Sequence, residues 1–366
     1  MAGRHATSPA SAKQACTDSS SNSQFPPLAF PALDSSMPCI HTPIDVARFT
    51  RLLTDHPDKA FSSRVSRGLQ SGFRIGFSGR RQTVTAPNLP SSAEHSVYIS
   101  DYLATSCAQG ETCGPYSTPP FPSFQCSGIG VVPKKNGKLR IIHHLSAPVG
   151  NSVNDGIDPS AFSLSYIRID DAVQTIMAYG QGALLTKLDI RNAFRLIPVH
   201  PSDWSLLGIQ WQGQYYFDRV LPFGLRSSPF LFDQVASAIE WIITTNFAIP
   251  HLLHYLDDFL NISPPQRSLA IQAKDVILQA FEYLSIPLAE EKLEGPSTSL
   301  VFLGIVLDTV RMEARLPDDK LADLRELLSE MSRCTQTTQR KLDHFLGKLS
   351  FASSVVVPGR TFTRRL

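Results

Sequence analysis

The sequence predicts an α+β protein in which β-hairpins alternate with amphipathic helices and two further helices end the chain. Three observations predict this class. Turn signals such as Asn136-Gly137 lie between apolar runs, as they do in antiparallel hairpins. Apolar residues recur at helical spacing in several segments, one of which begins at Ser228. Beyond Pro317 the chain shows only helical patterns, so a helical appendix follows an α+β body.

Composition excludes several classes of protein. The 366 residues are 42% hydrophobic and 18% charged with a net charge of +2, which does not fit a disordered, collagen-like or coiled-coil chain. No apolar run is long enough for a membrane span, and the N-terminus lacks the apolar region of a secretory signal. The six cysteines include no CxxC pair, so neither a zinc site nor a disulfide framework is indicated. We expect an intracellular protein without a membrane partner, in the cytoplasm or the nucleus.

The first 128 residues contain few regular signals. Residues 1–40 are rich in Ser, Ala and Pro and predict a flexible, disordered leader. Residues 41–110 form a basic extension, in which prolines near both ends delimit a short helix over 43–55. A loop is expected over 78–95. Glycines and prolines over 110–128 predict an extended segment without regular structure.

Regular elements are predicted throughout the rest of the chain. Apolar runs that flank a turn predict hairpins at residues 128–143, 209–220, 251–262 and 299–316. Helical spacing predicts helices at residues 170–179, 228–244 and 269–284, with two more after Pro317. Since Ser228 precedes Pro229, we expect Ser228 to be the N-cap of its helix. Residues 183–190 predict an apolar strand.

Three aspartates lie at the ends of predicted strands. Asp189 ends the apolar strand, and Asp257 and Asp258 lie at the tip of the third hairpin. If these strands are neighbours in one sheet, Asp189 and Asp257 come together at one edge. Clustered carboxylates repel one another, and a hard divalent cation such as Mg²⁺ relieves that cost. An isolated Asp-Asp pair is more often a simple turn, so the neighbouring residues must decide.

Six segments in order resemble the motifs of reverse transcriptases. They are VPKKNGKLR at 132–140, LDIRNAF at 188–194, LPFGLRSSP at 221–229, YLDD at 255–258, Lys292, and FLG at 302–304. The chain is similar to retrotransposon RNA-directed DNA polymerases, which implies a right-hand fold with fingers and an antiparallel-sheet palm over 111–316 and thumb-like helices over 317–366. Residues 142–146, 153–157 and 356–360 are most similar to DIRS-type, tyrosine-recombinase elements. The resemblance to gypsy-like and retroviral Pol proteins is looser.

The resemblance implies a role for each motif residue. Asp189 and Asp257 would bind two Mg²⁺ ions, for which Mn²⁺ could substitute, together with the Ile190 carbonyl and, as a weaker candidate, Asp258. Lys292 would protonate the departing pyrophosphate. The substrate-binding residues that the resemblance implies are Lys134, Arg140, Asn192, Ala193, Phe194, Phe223 and Gly224. Among these, Phe194 would be a steric gate that favours dNTPs, and plain core packing is its alternative.

Two basic segments flank the near-neutral middle of the chain. Residues 48–81 carry eight Lys/Arg against two Asp, and residues 331–366 carry seven against one. Such segments bind polyanions, here a primed RNA or DNA template, or are simply solvated surfaces. Only one acid, Asp343, follows Glu330, so we expect no RNase H site and a chain truncated before that domain.

Two alternatives to an active reverse transcriptase stay open. One is an inactive or domesticated remnant that only binds nucleic acid, although the three aspartates are intact. The other is an RNA-templated RNA polymerase, against which Phe194 and the YLDD segment argue.

Overall fold

Helices and short strands alternate through the part of the chain that the computed structural model describes, which comprises residues 40–133, 137–356 and 359. The helices there are α1 (Val46–Leu52), α2 (Lys59–Ser71), α3 (Ser91–Glu94), α4 (Ser96–Ala108), α5 (Ile169–Tyr179), α6 (Ser228–Asn246), α7 (Arg267–Tyr283), α8 (Asp318–Arg333) and α9 (Gln339–Ala352). The strands are β1 (Val84–Thr85), β2 (Thr112–Tyr116), β3 (Gln125–Cys126), β4 (Gly128–Pro133), β5 (Leu139–His144), β6 (Leu184–Asp189), β7 (Gly208–Trp211), β8 (Gln214–Asp218), β9 (Leu252–Tyr255), β10 (Asp258–Ser263), β11 (Glu294–Ser297), β12 (Ser299–Phe302), β13 (Ile305–Asp308) and β14 (Glu313–Arg315). The predicted α+β class is confirmed.

The predicted palm contains a four-stranded antiparallel sheet with the strand order β11-β6-β10-β9. One face packs against α6 and α7, where Phe259 of β10 meets Phe281 of α7 edge to face. On the other face, Leu185 and Leu260 join Phe302 of β12 in a buried core. Because side chains alternate along a strand, this second face is also the one that carries Asp189. The core therefore fixes the strands from both sides just below their acidic ends.

The predicted fingers combine the β4-β5 hairpin with a five-stranded sheet in the order β1-β3-β7-β8-β2. Ile99 and Leu103 of α4 pack against Ile129 of β4 and Ile209 of β7. The predicted hairpin around residues 212–213 is present, since Gln212 and Gly213 take φ values of 48° and 76° between β7 and β8. Positive φ at both central residues matches the twist of a two-residue hairpin turn.

The expectation of no regular structure over 110–128 is wrong at Thr112–Tyr116 and at Gln125–Cys126, which form strands β2 and β3. Strand β2 lies at the edge of its sheet. Proline lacks a backbone N–H, and an edge strand tolerates it because the outer side of the strand forms no hydrogen bonds with another strand. Helices α2 and α4 have no counterpart among the elements expected from the sequence, and the loop expected over 78–95 contains the short strand β1 and the one-turn helix α3. Helix α2 begins where the Asp58 carboxylate accepts the Phe61 N–H at 2.8 Å, an N-cap placed directly after Pro57.

Two local predictions also need correction. The run 299–316 forms three strands instead of two, because Leu303 and Gly304 take φ values of 49° and 75° and turn the chain inside the FLG segment. Ser228 is the first helical residue of α6 and not its N-cap, which is Ser227. The Ser228 hydroxyl instead donates to the Pro222 carbonyl at 2.9 Å and ties α6 to the LPFG segment.

Two arginines of the first basic segment, Arg74 and Arg81, form ion pairs inside the protein. Asp203 is fully buried and accepts hydrogen bonds from Arg74 Nε at 2.8 Å and from Arg81 Nη2 at 2.6 Å. The Ile75 N–H donates to the same carboxylate at 3.0 Å. A buried charge is stable only when it is paired and hydrogen-bonded, so these two arginines anchor the basic extension to the fingers.

Helices α8 and α9 form the thumb-like pair. Lys341 of α9 pairs with Glu330 of α8 at 2.5 Å, and Lys348 lies 3.9 Å from Asp323. Within the described ranges, no helix has both the length and the apolar content to cross a lipid bilayer.

Candidate active site

The ends of β6 and β10 bring the predicted carboxylates together. Asp189 is the last residue of β6 and lies directly opposite Asp258, the first residue of β10. Directly paired residues of an antiparallel ladder have neighbouring side chains on one face of the sheet. Asp257 precedes β10 in the turn, where its carbonyl accepts the Ile190 N–H at 2.9 Å. The structure thus gathers all three aspartates at one edge of the palm.

Burial and mutual repulsion raise the pKa values of Asp257 and Asp258. Burial raises the pKa of Asp257, and the charge of Asp189 raises it further. Burial, followed by the charges of Asp257 and Asp189, raises the pKa of Asp258 to about 6. Crowded carboxylates with raised pKa values favour an added cation, because a cation stabilises their ionised forms.

Lys292 supplies one cation beside these carboxylates. Its Nζ donates to Asp189 Oδ2 at 2.6 Å. Burial opposes the charge of Lys292, but the hydrogen bond to Asp189 and the charge of Asp189 raise the pKa of the ammonium. The Ala289 N–H donates to the Asp189 carbonyl at 2.9 Å, so the segment before Lys292 is fixed against β6. Lys292 is therefore a protonated donor at neutral pH.

An aromatic cluster joins the LDIRNAF and LPFG segments to α6. The Phe194 ring packs against Phe223 at a centroid distance of 5.0 Å and against Phe232 at 5.8 Å. The Arg140 guanidinium lies over the Phe223 ring at 5.2 Å. Three of the predicted substrate-binding side chains, Arg140, Phe194 and Phe223, are thus brought into one cluster.

The backbone around this cluster is tightly packed. Gly224 has a φ of 103°, and a Cβ there would lie 2.2 Å from the His143 carbonyl of β5. Only glycine allows this approach, which seats the LPFG segment against the fingers. Asn192 takes a left-handed conformation with φ of 53°, and Ala193 is buried at the start of the following turn. Lys134 lies outside the described residues.

The donor atoms at the sheet edge suit a hard cation. Among the described residues, no set of three His, Cys, Asp or Glu side chains is arranged to hold a metal ion on its own. Asp189, Asp257 and Asp258 nevertheless offer only oxygen donors, which Mg²⁺ prefers, and Mg²⁺ usually completes its shell with water and substrate phosphates. The residues therefore fit Mg²⁺ bound together with a substrate.

Comparison with known proteins identifies the domain that carries this site. Residues 132–307 match the family described as Reverse transcriptase (RNA-dependent DNA polymerase). The chain contains a reverse transcriptase domain of the Pol type. It is similar to the Gag-Pro-Pol polyprotein of Human T-cell leukemia virus 3 (strain 2026ND), with 30% identity over 247 residues that cover 62% of this chain. The Gag-Pro-Pol polyprotein of Mason-Pfizer monkey virus is 26% identical over 237 residues, or 61% of this chain.

The matched proteins are longer than this chain, which spans 15% of the first polyprotein and 12% of the second. Among solved structures, a foamy viral protease-reverse transcriptase in complex with double-stranded DNA is similar, with a TM-score of 0.58 and 15% identity. The likeness covers 92% of this chain and 58% of that chain. It shows that the described elements adopt the reverse transcriptase fold, with fingers, palm and thumb.

Arg195 belongs to none of the six motifs, but it stabilises the interior of the reverse transcriptase domain. It is buried, its Nε donates to Glu111 at 3.0 Å, and its Nη2 donates to Asp218 at 2.9 Å. Two buried hydroxyls accept further hydrogen bonds from Nη2 at 3.0 and 3.2 Å. Burial raises the pKa of Asp218, but Arg195 lowers it to about 2. An arginine between apolar residues was the only sequence signal for this network.

His254 connects the strand before the YLDD turn to α6. Its Nδ1 lies 2.5 Å from Glu240 Oε2, and its Nε2 lies 3.5 Å from Asp233 Oδ1. Its ring stacks on Phe259 of β10 at 5.6 Å. Burial lowers the pKa of His254, but the hydrogen bonds to Asp233 and Glu240 outweigh burial and raise it to about 9.

We expect the stabilising effect of His254 to be lost in alkaline solution. Its folded pKa of about 9 exceeds the unfolded value of 6.5, so its contribution is complete below pH 6.5 and disappears as pH rises through about 9. Relative to His254→Gln, the wild type should gain at most about 3 kcal/mol of unfolding free energy at pH 6, and little at pH 10. Urea unfolding at both pH values measures the difference. A gap between the two proteins that does not change with pH would contradict the assignment.

Proposed function

We propose that this chain acts as the RNA-directed DNA polymerase of a retrotransposon and adds dNTPs to a primer 3′ end. The observation that carries the proposal is the direct pairing of Asp189 with Asp258, beside Asp257, at the palm edge of a reverse transcriptase domain. Nucleotidyl transfer needs negative charge at this position to hold cations against the triphosphate. Arg140, Phe194 and Phe223 form a compact group for the incoming nucleotide on the adjoining side.

Two Mg²⁺ ions would be held by Asp189, Asp257 and the Ile190 carbonyl, with Asp258 as a further ligand and Mn²⁺ as a substitute. When bound, such ions lower the pKa of an attacking hydroxyl and neutralise charge on the leaving pyrophosphate. Lys292, held protonated beside Asp189, donates a proton to that pyrophosphate. Arg140 would contact the triphosphate and stabilise its developing charge, and the resemblance implies the same role for Lys134.

Phe194 supports a preference for dNTPs. Its ring is held between Phe223 and Phe232, so it cannot easily move away from a ribose 2′-hydroxyl. We expect Phe194→Val to raise the ratio of UTP to dTTP incorporation by at least about tenfold, because the smaller side chain leaves room for the hydroxyl. Single-nucleotide extension kinetics with each nucleotide measure this ratio. An unchanged ratio would identify Phe194 as a packing residue.

The partner that fits this site is a primed template. The solved foamy viral relatives are complexes with double-stranded DNA and with an RNA/DNA hybrid, and their fold is that of this chain. An A-form hybrid is held through its shape and its backbone, so contact depends on salt and not on sequence. We place the chain among DIRS-type elements, on the residues at 142–146 and 153–157, and inside the cell.

Primer extension tests the proposal. Wild-type protein is supplied with a poly(rA)/oligo(dT) hybrid, dTTP and Mg²⁺, beside the double variant Asp257→Asn/Asp258→Asn. Extension by the wild type alone would support RNA-directed DNA synthesis at these carboxylates. A folded wild type that binds the hybrid and extends nothing would favour an inactive remnant. Equal extension by both proteins would place the chemistry elsewhere.

A further inference from the structure

Lys187 is a charged residue in the palm to which the proposed mechanism gives no role. It lies on β6 two residues before Asp189, so the alternation of the strand places both side chains on the same face. Two residues earlier on this face, Leu185 is buried in the core. The Lys187 side chain is 16% exposed and therefore lies at the boundary between the core and the open cleft.

The Lys187 ammonium connects β6 to two other strands. Nζ donates to Glu294 Oε1 of β11 at 2.5 Å and to the Val301 carbonyl of β12 at 3.2 Å. Strand β12 leads directly into the FLG turn, in which Leu303 and Gly304 both have positive φ. A single side chain thus joins the strand that carries Asp189 to the strand that carries this turn.

Strand β11 is held close to β6 at this point. Gly295 follows Glu294 with a φ of 95°, and a Cβ there would lie 2.2 Å from the Leu185 carbonyl. From the α7 side, Lys274 Nζ donates to the Gly295 carbonyl at 3.4 Å. Two lysines therefore contact β11, but only Lys187 also donates to β12.

A cleft of about 570 Å³ opens in front of Lys187. Tyr255 and Asp258 line it on the carboxylate side, and Leu303 and Gly304 line it on the side of the FLG turn. A strand end bound in this cleft would lie between these two walls, so their separation would set its distance from the carboxylates. Lys187 lines the same cleft, and its ammonium ties β12, which leads into the FLG turn, to β6, which ends at Asp189.

We propose that Lys187 is a positioning residue that sets the distance between the FLG turn and the carboxylates, and thereby the placement of a primer 3′ end. The inference rests on the proposed function, because it assumes that the cleft receives a primer. Without the ammonium, β12 loses a hydrogen bond to β6 while the core below it remains. A displacement of about 1 Å can lower a rate by as much as about 100-fold.

A cross-linking experiment without metal or dNTP tests placement independently of catalysis. The probe is the poly(rA)/oligo(dT) hybrid with 4-thiothymidine as the 3′-terminal primer nucleotide. The proteins are the wild type, Lys187→Met, Lys187→Arg and the matched control Lys274→Met. We expect Lys187→Met to lower the cross-linking yield at residues 299–305 by at least about threefold, with the Kd for the hybrid within about twofold of wild type. Lys187→Arg should recover most of the yield, because arginine retains the charge and the donors.

Extension kinetics provide the second readout. We expect Lys187→Met to lower kcat by about tenfold with the KM for dTTP unchanged, and Lys274→Met to behave as wild type. Wild-type yields in Lys187→Met, or an equal loss in Lys274→Met, would overturn the inference. A wild type that cross-links without extending would contradict the proposed polymerase, while the yields of the variants would still decide the role of Lys187.

Discussion

Replacing Asp189 with Asn should lower the rate of dTMP addition by at least about 10³-fold, or about 4 kcal/mol of transition-state stabilisation. Asp189 is paired with Asp258 in the sheet, and its carboxylate accepts a hydrogen bond from the Lys292 ammonium. The amide keeps the shape of the side chain but removes the charge that would hold a cation and orient Lys292. Single-turnover extension of the poly(rA)/oligo(dT) hybrid measures the rate.

The same substitution should leave the fold intact. Loss of the Asp189 charge relieves repulsion on Asp257 and Asp258, whose pKa values that charge raises. Asp275→Asn is the matched control, because Asp275 is exposed on α7, away from the sheet edge. We expect that control to extend at the wild-type rate. An Asp189→Asn protein that retains more than about a tenth of the wild-type rate would refute the proposed role.

The largest effect on stability is expected for Arg195→Met, which should lower the free energy of unfolding by about 3–5 kcal/mol. Methionine fills much of the space but leaves Asp218 as a buried carboxylate without its cation. Glu111 and two hydroxyls lose a donor at the same time. Urea unfolding followed by the fluorescence of Trp204 and Trp211 measures the change.

Arg191→Met supplies a matched control four residues away. Arg191 lies 3.5 Å from Glu291, and the exposed fractions of the two side chains are 51% and 67%. An ion pair open to water contributes about 0–1 kcal/mol, since solvent and salt screen it. Equal losses in the two arginine variants would mean that burial does not govern these pairs.

The site could be predicted from the sequence where local rules decide the structure. The strand ending in Asp189 and the hairpin carrying Asp257 and Asp258 each show a short apolar run and a turn. The order of the six motifs then implied that this strand and this hairpin are neighbours, and the pairing of Asp189 with Asp258 in the sheet agrees with that. The turn inside FLG was missed because positive φ at Leu303 is uncommon for a branched aliphatic residue.

Other features depend on partners that are distant in sequence. Arg195 contacts Glu111 across 84 positions, and Lys187 contacts Glu294 across 107. No periodicity links such residues, so the sequence shows a charged residue among apolar neighbours and gives no information about its partner. Strand β2 was missed for a related reason, since a glycine and a proline are acceptable only because β2 is an edge strand.

The ion pairs of Asp203 show that the folded body of this protein extends beyond the range that matches the family. Asp203 lies inside the matched range 132–307, but Arg74, Ile75 and Arg81, which hold its buried carboxylate, lie before that range. Three of the five strands in the sheet that contains β7 and β8 also precede residue 132. A protein trimmed to the matched range would expose a sheet edge and bury an uncompensated charge. The residues before the matched range are therefore an obligatory part of the folded body and not a detachable appendage.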